Sequence, residues 1–428
     1  MLKSIVFQIL LSWEAIKKRI RSTQEHIYEE DDSPEVMKKL GIDTILGKAE
    51  FQSPSSIQVT LTDSSTNEVE VVQVHAKDGI VIATGASPKK PTDMLLPFEL
   101  DDDSSINYVT YEDVFELEKL PKTMTVVGGG PIGCELAQAF SRLGVDVTII
   151  AEKLLPRNEP EVSSTMEEVF ANEGIRIVKS RVESIFSNNN NDGSHVVNNG
   201  DVEGELLLLA VGRKPVVHGM NLELIDVQLN SETGGIAVDD QLRSSVKGVY
   251  AAGDCTGDRQ FTHYAGYQGA VAARNALLPF TDPGVLTSDV PGTTFTSPEV
   301  ASVGLTEAEA REQFGSDNNG NGIQISLQRV KNVDRAVCEG STDGFIKIVY
   351  KSKNYEILGA TIVSPAAGEL ISEVGVAMKA GMKLDQLATV MHSYPSFSFA
   401  LQVIAAEVYY AKLGKLKGVL NFLKKIGL

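Results

Sequence analysis

Six residues, Gly128-Gly129-Gly130-Pro131-Ile132-Gly133, carry the strongest chemical signal in the chain. The spacing is G-x-G-x-x-G, which suits the binding of a pyrophosphate. The first glycine allows a tight turn, the second lets the backbone approach the phosphates, and the third lets a helix pack against a strand. Unpaired N–H groups at the start of that helix would face the anion. Glu152 lies where a ribose-binding acid belongs, hydrogen-bonding the ribose hydroxyls of NAD and disfavouring an added phosphate. Lys153 and Arg157 pull the other way, so the residues leave NAD and NADP open. Three cysteines, Cys134, Cys255 and Cys338, show neither C-x-x-C nor C-x-x-x-x-C spacing. No disulfide framework or metal site is readable from them, and each is expected to be a small buried apolar residue.

The elements around the glycines read as strand, turn, helix, strand. Thr125–Val127 is a short buried strand, Cys134–Leu143 a helix and Val145–Ile150 the second strand. Upstream, Met1–Trp13 is apolar but too short to span a bilayer and has no small-residue cleavage site. It is expected to open a helix that continues over Glu14–Glu29 and ends at the acidic run Glu29–Asp32. A short helix at Glu35–Leu40 follows, then strands at Ile57–Leu61, Val69–His75 and a buried Gly79–Ala83. Asn188–Gly193 and Gly315–Gly322 are Asn/Gly-rich and read as disordered loops. Gly344–Val349 and Ile357–Ile362 read as hairpin strands, and Leu370–Ala380 and Leu384–Met391 as helices.

The whole chain has 428 residues, 42% apolar and 22% charged, enough for about two to four domains with real cores. A formal charge of −18 repels phosphate backbones and argues against nucleic-acid binding. The Ala411–Leu428 tail is an exception to this acidity, a basic amphipathic helix with Lys412, Lys415, Lys417, Lys424 and Lys425. Contact with an anionic membrane surface is the less favoured account of it, and a solvated terminal helix the preferred one. A soluble protein is expected, with cytoplasm and organelle lumen left open.

The stretch Gly128–Phe140, GGGPIGCELAQAF, resembles the pyridine nucleotide-disulfide oxidoreductases, the group that includes glutathione reductase, dihydrolipoyl dehydrogenase and mercuric reductase. Ile80–Pro88 (IVIATGASP) and Leu206–Pro215 (LLLLAVGRKP) resemble that family's two strand-to-glycine crossings, and Val249–Asp254 (VYAAGD) its flavin motif. Pro291–Glu307 and Asp334–Lys347 resemble the start of its dimer-forming domain. The wording over Trp13–Phe51 is most similar to the mercuric-reductase-like branch.

The resemblance implies a doubly wound α/β architecture with an appended α+β dimerisation domain. Its expected divisions are part of an FAD domain over 1–105, an NAD(P) domain over 106–218, more of the FAD domain over 219–285, and dimerisation over 286–428. It also implies FAD and NAD(P) as cofactors and a homodimer. The electron acceptor would be a small molecule, a disulfide or a metal ion. Glu135 would lie beside flavin and nicotinamide, Gly253 and Asp254 would hold FAD, and Thr84, Gly85 and Gly212 would line the close approaches to the cofactors.

Two departures accompany the match. The family's own first G-x-G-x-x-G, its C-x-x-x-x-C pair and the lysine partner of Glu135 are expected to precede the point where this sequence begins. Tyr394 stands at the place of the family's interfacial histidine and Phe399 at that of its glutamate, so no His-Glu relay is expected there. Tyr394 is the residue left to donate a proton or ligate across the dimer. The expected function is hydride transfer from NAD(P)H to flavin and onward to an unidentified acceptor. The alternative is a dimeric NAD(P)-binding protein that does not hold FAD.

Overall fold

A computed structural model describes residues 12–62, 69–90, 99–100, 108–187, 194–200, 202–279, 281–286, 290–316 and 321–425. The chain forms two compact units. One comprises Met1–Pro97, Tyr108–Lys122 and Val211–Val285, and the other Phe98–Asn107, Thr123–Ala210 and Leu286–Leu428.

Among the described residues, the first unit opens with the helix Trp13–Ile27, capped by Ser12, whose hydroxyl accepts from the Ala15 N–H at 3.1 Å. The cap corrects the expectation of one helix running on from Met1, since Ser12 is extended and satisfies an orphan donor of the first turn. Met1–Leu11 lies outside the described residues. A second short helix, Pro34–Lys39, starts at Ser33 with proline in its first turn. Lys48–Ser53, Ser56–Thr62 and Val69–His75 then form an antiparallel meander. Ile80–Ile82 pairs in parallel with Val249–Ala251, and its half-buried Ile80 and Val81 correct the expectation of a fully buried strand. Phe51, Ile82, Leu222, Val249 and Ala251 are among the residues that close this unit's core.

The second unit begins with parallel strands in the order Arg176–Val178, Asp146–Ile150, Thr123–Val127, Leu206–Leu209. Leu206–Leu209 is buried at every position, as a strand covered on both faces must be. The helices Pro131–Arg142 and Pro160–Asn172 follow the glycine turn and the second strand. The first starts three residues before the expected Cys134 because Pro131 suits the opening position, where its missing N–H costs nothing.

The same unit holds an antiparallel sheet in the order Gly292–Thr294, Glu299–Gly304, Ile357–Ser364, Phe345–Lys351, Ile323–Arg329. The helices Ala367–Lys379 and Phe399–Lys425 pack Leu370, Ile371, Val374, Leu401 and Ile404 into its core. The last helix therefore starts twelve residues before the expected Ala411. The expected helix at Leu384–Met391 ends at Leu387, where Thr389 and Val390 donate to the carbonyls three residues back and close a turn. Asn188–Gly193 and residues 317–320 lie outside the described residues. Cys134 and Cys255 are buried as expected, but Cys338 is exposed. It belongs to a helix of only six residues, Asp334–Glu339, whose one buried residue is Ala336.

Candidate functional site

In the second unit the glycine turn has a distinct task at each position. Gly128 has a φ of +115°, which only glycine adopts without strain. A Cβ on Gly133 would lie 2.1 Å from the Gly128 carbonyl oxygen, so helix and strand touch through a hydrogen atom. A Cβ on Gly129 would lie 2.5 Å from the Lys153 carbonyl oxygen. Gly130 has no heavy atom within 4 Å of such a Cβ, and its open side leaves room for a ligand to meet backbone. Pro131 is exposed and Ile132 half-buried at the helix start, and Glu152 is exposed two residues beyond the second strand. Lys153 is half-buried and Arg157 exposed nearby in sequence.

Glu135 and Cys134 emerge from the first turn of that helix in opposite circumstances. Burial pushes the Cys134 thiol up to about 12, and its sulfur donates weakly to the Gly129 carbonyl at 3.4 Å. Cys134 is therefore a packing residue. Glu135 is half-buried, and its Oε1 accepts the Phe295 N–H at 2.7 Å. Burial raises its carboxyl above the ordinary range, while that backbone bond pulls the other way.

One helical turn further on, Gln138 was not anticipated from the sequence. Its Oε1 accepts the Ser297 N–H at 2.7 Å and its Nε2 donates to the Ser297 carbonyl at 2.8 Å. Positions i and i+3 share a helix face, so Glu135 and Gln138 together hold the Phe295–Ser297 segment. That spacing was visible in the sequence; its target was not.

The loop after Glu152 ends in a buried cluster that was also not anticipated. Lys347 is 2% exposed, and its Nζ lies 3.0 Å from Glu159, 2.9 Å from Glu161 and 2.7 Å from Glu307. Glu159 also accepts the Glu307 N–H at 2.6 Å. Burial alone would raise the Glu161 and Glu307 carboxyls, but the lysine outweighs it and both are lowered. Burial would likewise lower Lys347, yet three carboxylates hold it raised.

In the first unit, Ala86–Pro88 and Arg213–Pro215 pair antiparallel, which brings the two glycine crossings together. Gly85 has a φ of +72° and Gly212 one of +114°. Thr84 donates its hydroxyl to the Val216 carbonyl at 2.6 Å. Gly253, with a φ of +78°, donates its N–H to Gln268 Oε1 at 2.8 Å. Asp254 pairs with Arg213, Oδ2 to Nη2 at 2.6 Å, and the guanidinium lies over the Tyr111 ring at 5.7 Å. Arg213 Nε is buried without a hydrogen-bond partner. An orphaned donor beside a carboxylate and two open glycines is a polar cradle that fits a phosphate- and hydroxyl-bearing cofactor such as FAD.

The expected interfacial residues lie in the second unit. Tyr394 is 64% exposed, its hydroxyl donates to Asp334 Oδ2 at 2.7 Å, and this bond holds its proton more tightly than in free tyrosine. Phe399 meets the Tyr394 ring edge-on at 5.4 Å, so the glutamate place is filled by packing. A histidine–glutamate contact does exist elsewhere, between His392 Nε2 and Glu373 Oε1 at 2.6 Å. Among the described residues, no group of three or more His, Cys, Asp or Glu is placed to hold a metal, and no helix is long and apolar enough to cross a membrane.

Parallel sheet, glycine turn and a further antiparallel sheet in the same unit define a nucleotide-binding α/β protein that carries a dimer-type sheet. The chain belongs to the pyridine nucleotide-disulphide oxidoreductase family, which residues 8–269 match, with its dimerisation domain matched by residues 290–404. It is 35% identical to a mercuric reductase of Bacillus cereus over 85% of this chain and 54% of that protein. It is 32% identical to a dihydrolipoyl dehydrogenase of Chlamydia muridarum over 78% of this chain and 70% of that one. The chain thus spans about half the length of the Bacillus relative. The solved structure of LpdA from Mycobacterium tuberculosis matches with a TM-score of 0.79 at 27% identity, covering 93% of this chain and 84% of that one. Members of the family are FAD-dependent and use NAD(P)H.

Proposed function

We propose that this chain binds NAD(P)H and FAD and takes part, as a homodimer, in hydride transfer to flavin and onward to an acceptor of the mercuric-reductase-like class. The observation that carries this reading is the division of labour in the glycine turn, with Gly133 closed by packing and Gly130 open. A glycine turn used for packing alone has no need of the open position.

Gly130 and the start of the Pro131–Arg142 helix would receive the pyrophosphate of NAD(P)H, and Glu152 its ribose. Glu135, tied to Phe295, would border the nicotinamide and keep water from its reacting face. Asp254, Gly253 and the Thr84–Gly85 and Gly212 turns would hold FAD, which supplies the hydride-accepting chemistry when bound. Arg213, paired with Asp254, would hold that carboxylate turned toward the cofactor. Tyr394, with its proton held by Asp334, would serve the acceptor side as a neutral donor or ligand. The four sequence divisions, with FAD-binding stretches on either side of an NAD(P)-binding one, follow from this assignment.

The test is to saturate the purified chain with FAD, remove free flavin, and record the visible spectrum before and after anaerobic NADH or NADPH. Retained flavin that bleaches with one nucleotide supports the reading and fixes the preference. Colourless protein that still binds NAD(P) calorimetrically replaces it with the flavin-free nucleotide-binding alternative.

A further inference from the structure

The antiparallel sheet of the second unit carries a polar row on one face. Ser302 and Lys347 each stand opposite Thr361 on the strand between them, so the three side chains point the same way. Their neighbours Ala301, Val303, Ile346, Ile348, Ala360 and Ile362 alternate to the other face and join the core beneath the helices. Against the polar row lies the end of the loop that follows Ile150 and carries Glu152. Asn158 Nδ2 donates to Ser302 Oγ at 3.3 Å, and Glu159 lies 3.0 Å from Lys347 Nζ while accepting the Glu307 N–H at 2.6 Å.

The other end of the loop is fastened elsewhere. Ala151 donates its N–H to the Val178 carbonyl at 3.1 Å, and Leu155 donates to the Gly129 carbonyl at 2.7 Å, within the glycine turn itself. Glu152 and Lys153 lie between these two bonds, so the parallel sheet and the glycine turn place them. Pro156 and Arg157 lie beyond, at the corner of a turn closed by the Asn158 N–H on the Leu155 carbonyl at 3.0 Å. One side of that corner thus rests on the glycine turn and the other on the antiparallel sheet. Arg157 is exposed, and among the described residues no hydrogen bond or ion pair engages its side chain. A free guanidinium offers a planar fork of donors suited to a phosphate.

We propose that the polar row of the antiparallel sheet positions Arg157 and thereby sets how well the nucleotide site accepts a 2′-phosphate, while the glycine turn sets Glu152 and the unphosphorylated ribose. Asn158, Glu159, Ser302 and Lys347 are positioning residues in this scheme, acting through the corner they hold. The inference rests on the nucleotide reading above, because Arg157 meets a ribose only if the glycine turn holds a pyrophosphate.

Calorimetric titration of the purified chain with ADP-ribose and with 2′-phospho-ADP-ribose separates the two ends of the loop. Lys347→Met and Asn158→Ala are each expected to weaken the 2′-phosphorylated ligand at least about fivefold and to leave ADP-ribose binding unchanged. In an Arg157→Met background the same substitutions should have no further effect, because the residue they act through is gone. Asn158→Ala changes no charge and removes one hydrogen bond from a half-buried side chain, so it separates positioning from electrostatics and reports even if Lys347→Met does not fold. Equal losses for the two ligands, no loss for either, or effects that add independently to that of Arg157→Met overturn the proposal. A chain that binds neither ligand overturns it together with the nucleotide reading, whereas binding of ADP-ribose alone, or without this split, overturns it and leaves that reading standing.

Discussion

Lys347 shows how far one side chain can govern its surroundings. Substituting it by methionine keeps the volume but leaves Glu159, itself 2% exposed, without its cation. A buried ion whose partner is removed costs about 3–5 kcal/mol, and Lys347→Met should lower stability by that order in chemical denaturation. The pH dependence follows from the directions of the shifts. Glu161 and Glu307 are depressed in the fold, so their contribution is present above the ordinary carboxylate range and is lost as pH falls through their lowered values. Lys347 is raised, so its contribution persists through the ordinary lysine range and is lost only above it. The stability gap between the unmodified chain and Lys347→Met should therefore be widest near neutral pH and narrow in acid. Glu135 presents a different case. Glu135→Gln retains a carbonyl oxygen for the Phe295 N–H, so melting should barely change. Loss of the charge and small displacement of the site should slow flavin reduction by up to about a hundredfold in stopped-flow measurements.

Among the elements, the glycine turn offers a paired comparison. Gly133→Ala drives a methyl into the Gly128 carbonyl and should cost about 1–3 kcal/mol of stability. Gly130→Ala meets nothing in the protein, so it should melt normally while weakening NAD(P)H binding about tenfold, or about 1.4 kcal/mol, by calorimetry. Equal effects on binding and melting in both variants would contradict the distinct roles of the two positions. This turn was legible because strand, glycines, helix and acid lie within one short stretch and obey local rules. The Val69–His75 strand was legible for a similar reason, since alternation is a local signal. The Lys347 cluster was not, because it joins residues 186 and 188 positions apart, and no periodicity encodes such a meeting. Arg213 lay inside a recognised motif, but its pairing with Asp254 joins that motif to a second one further along the chain, which no local rule encodes. Helix ends were misread where single side chains decide them, as Ser12 does at Trp13.

At the scale of the molecule, the dimer-type domain leaves apolar surface uncovered. Val376 is 69% exposed and Met391 92%, and both line a cavity beside His392. If the dimer contact runs over this cavity, both side chains would be covered by the partner. Met391→Glu should leave the fold intact and shift the sedimentation coefficient from dimer toward monomer at micromolar concentration. A dimer indifferent to this charge would place the interface elsewhere.

The chain has a single tryptophan, Trp13, whose indole N–H donates to the Leu117 carbonyl at 2.6 Å. Every photon of indole emission from this protein therefore reports one place, the seating of the opening helix on the loop around Leu117. A red shift that precedes loss of circular dichroism during denaturation would reveal that helix detaching first. Coincident transitions would show that it melts with the body it is fastened to.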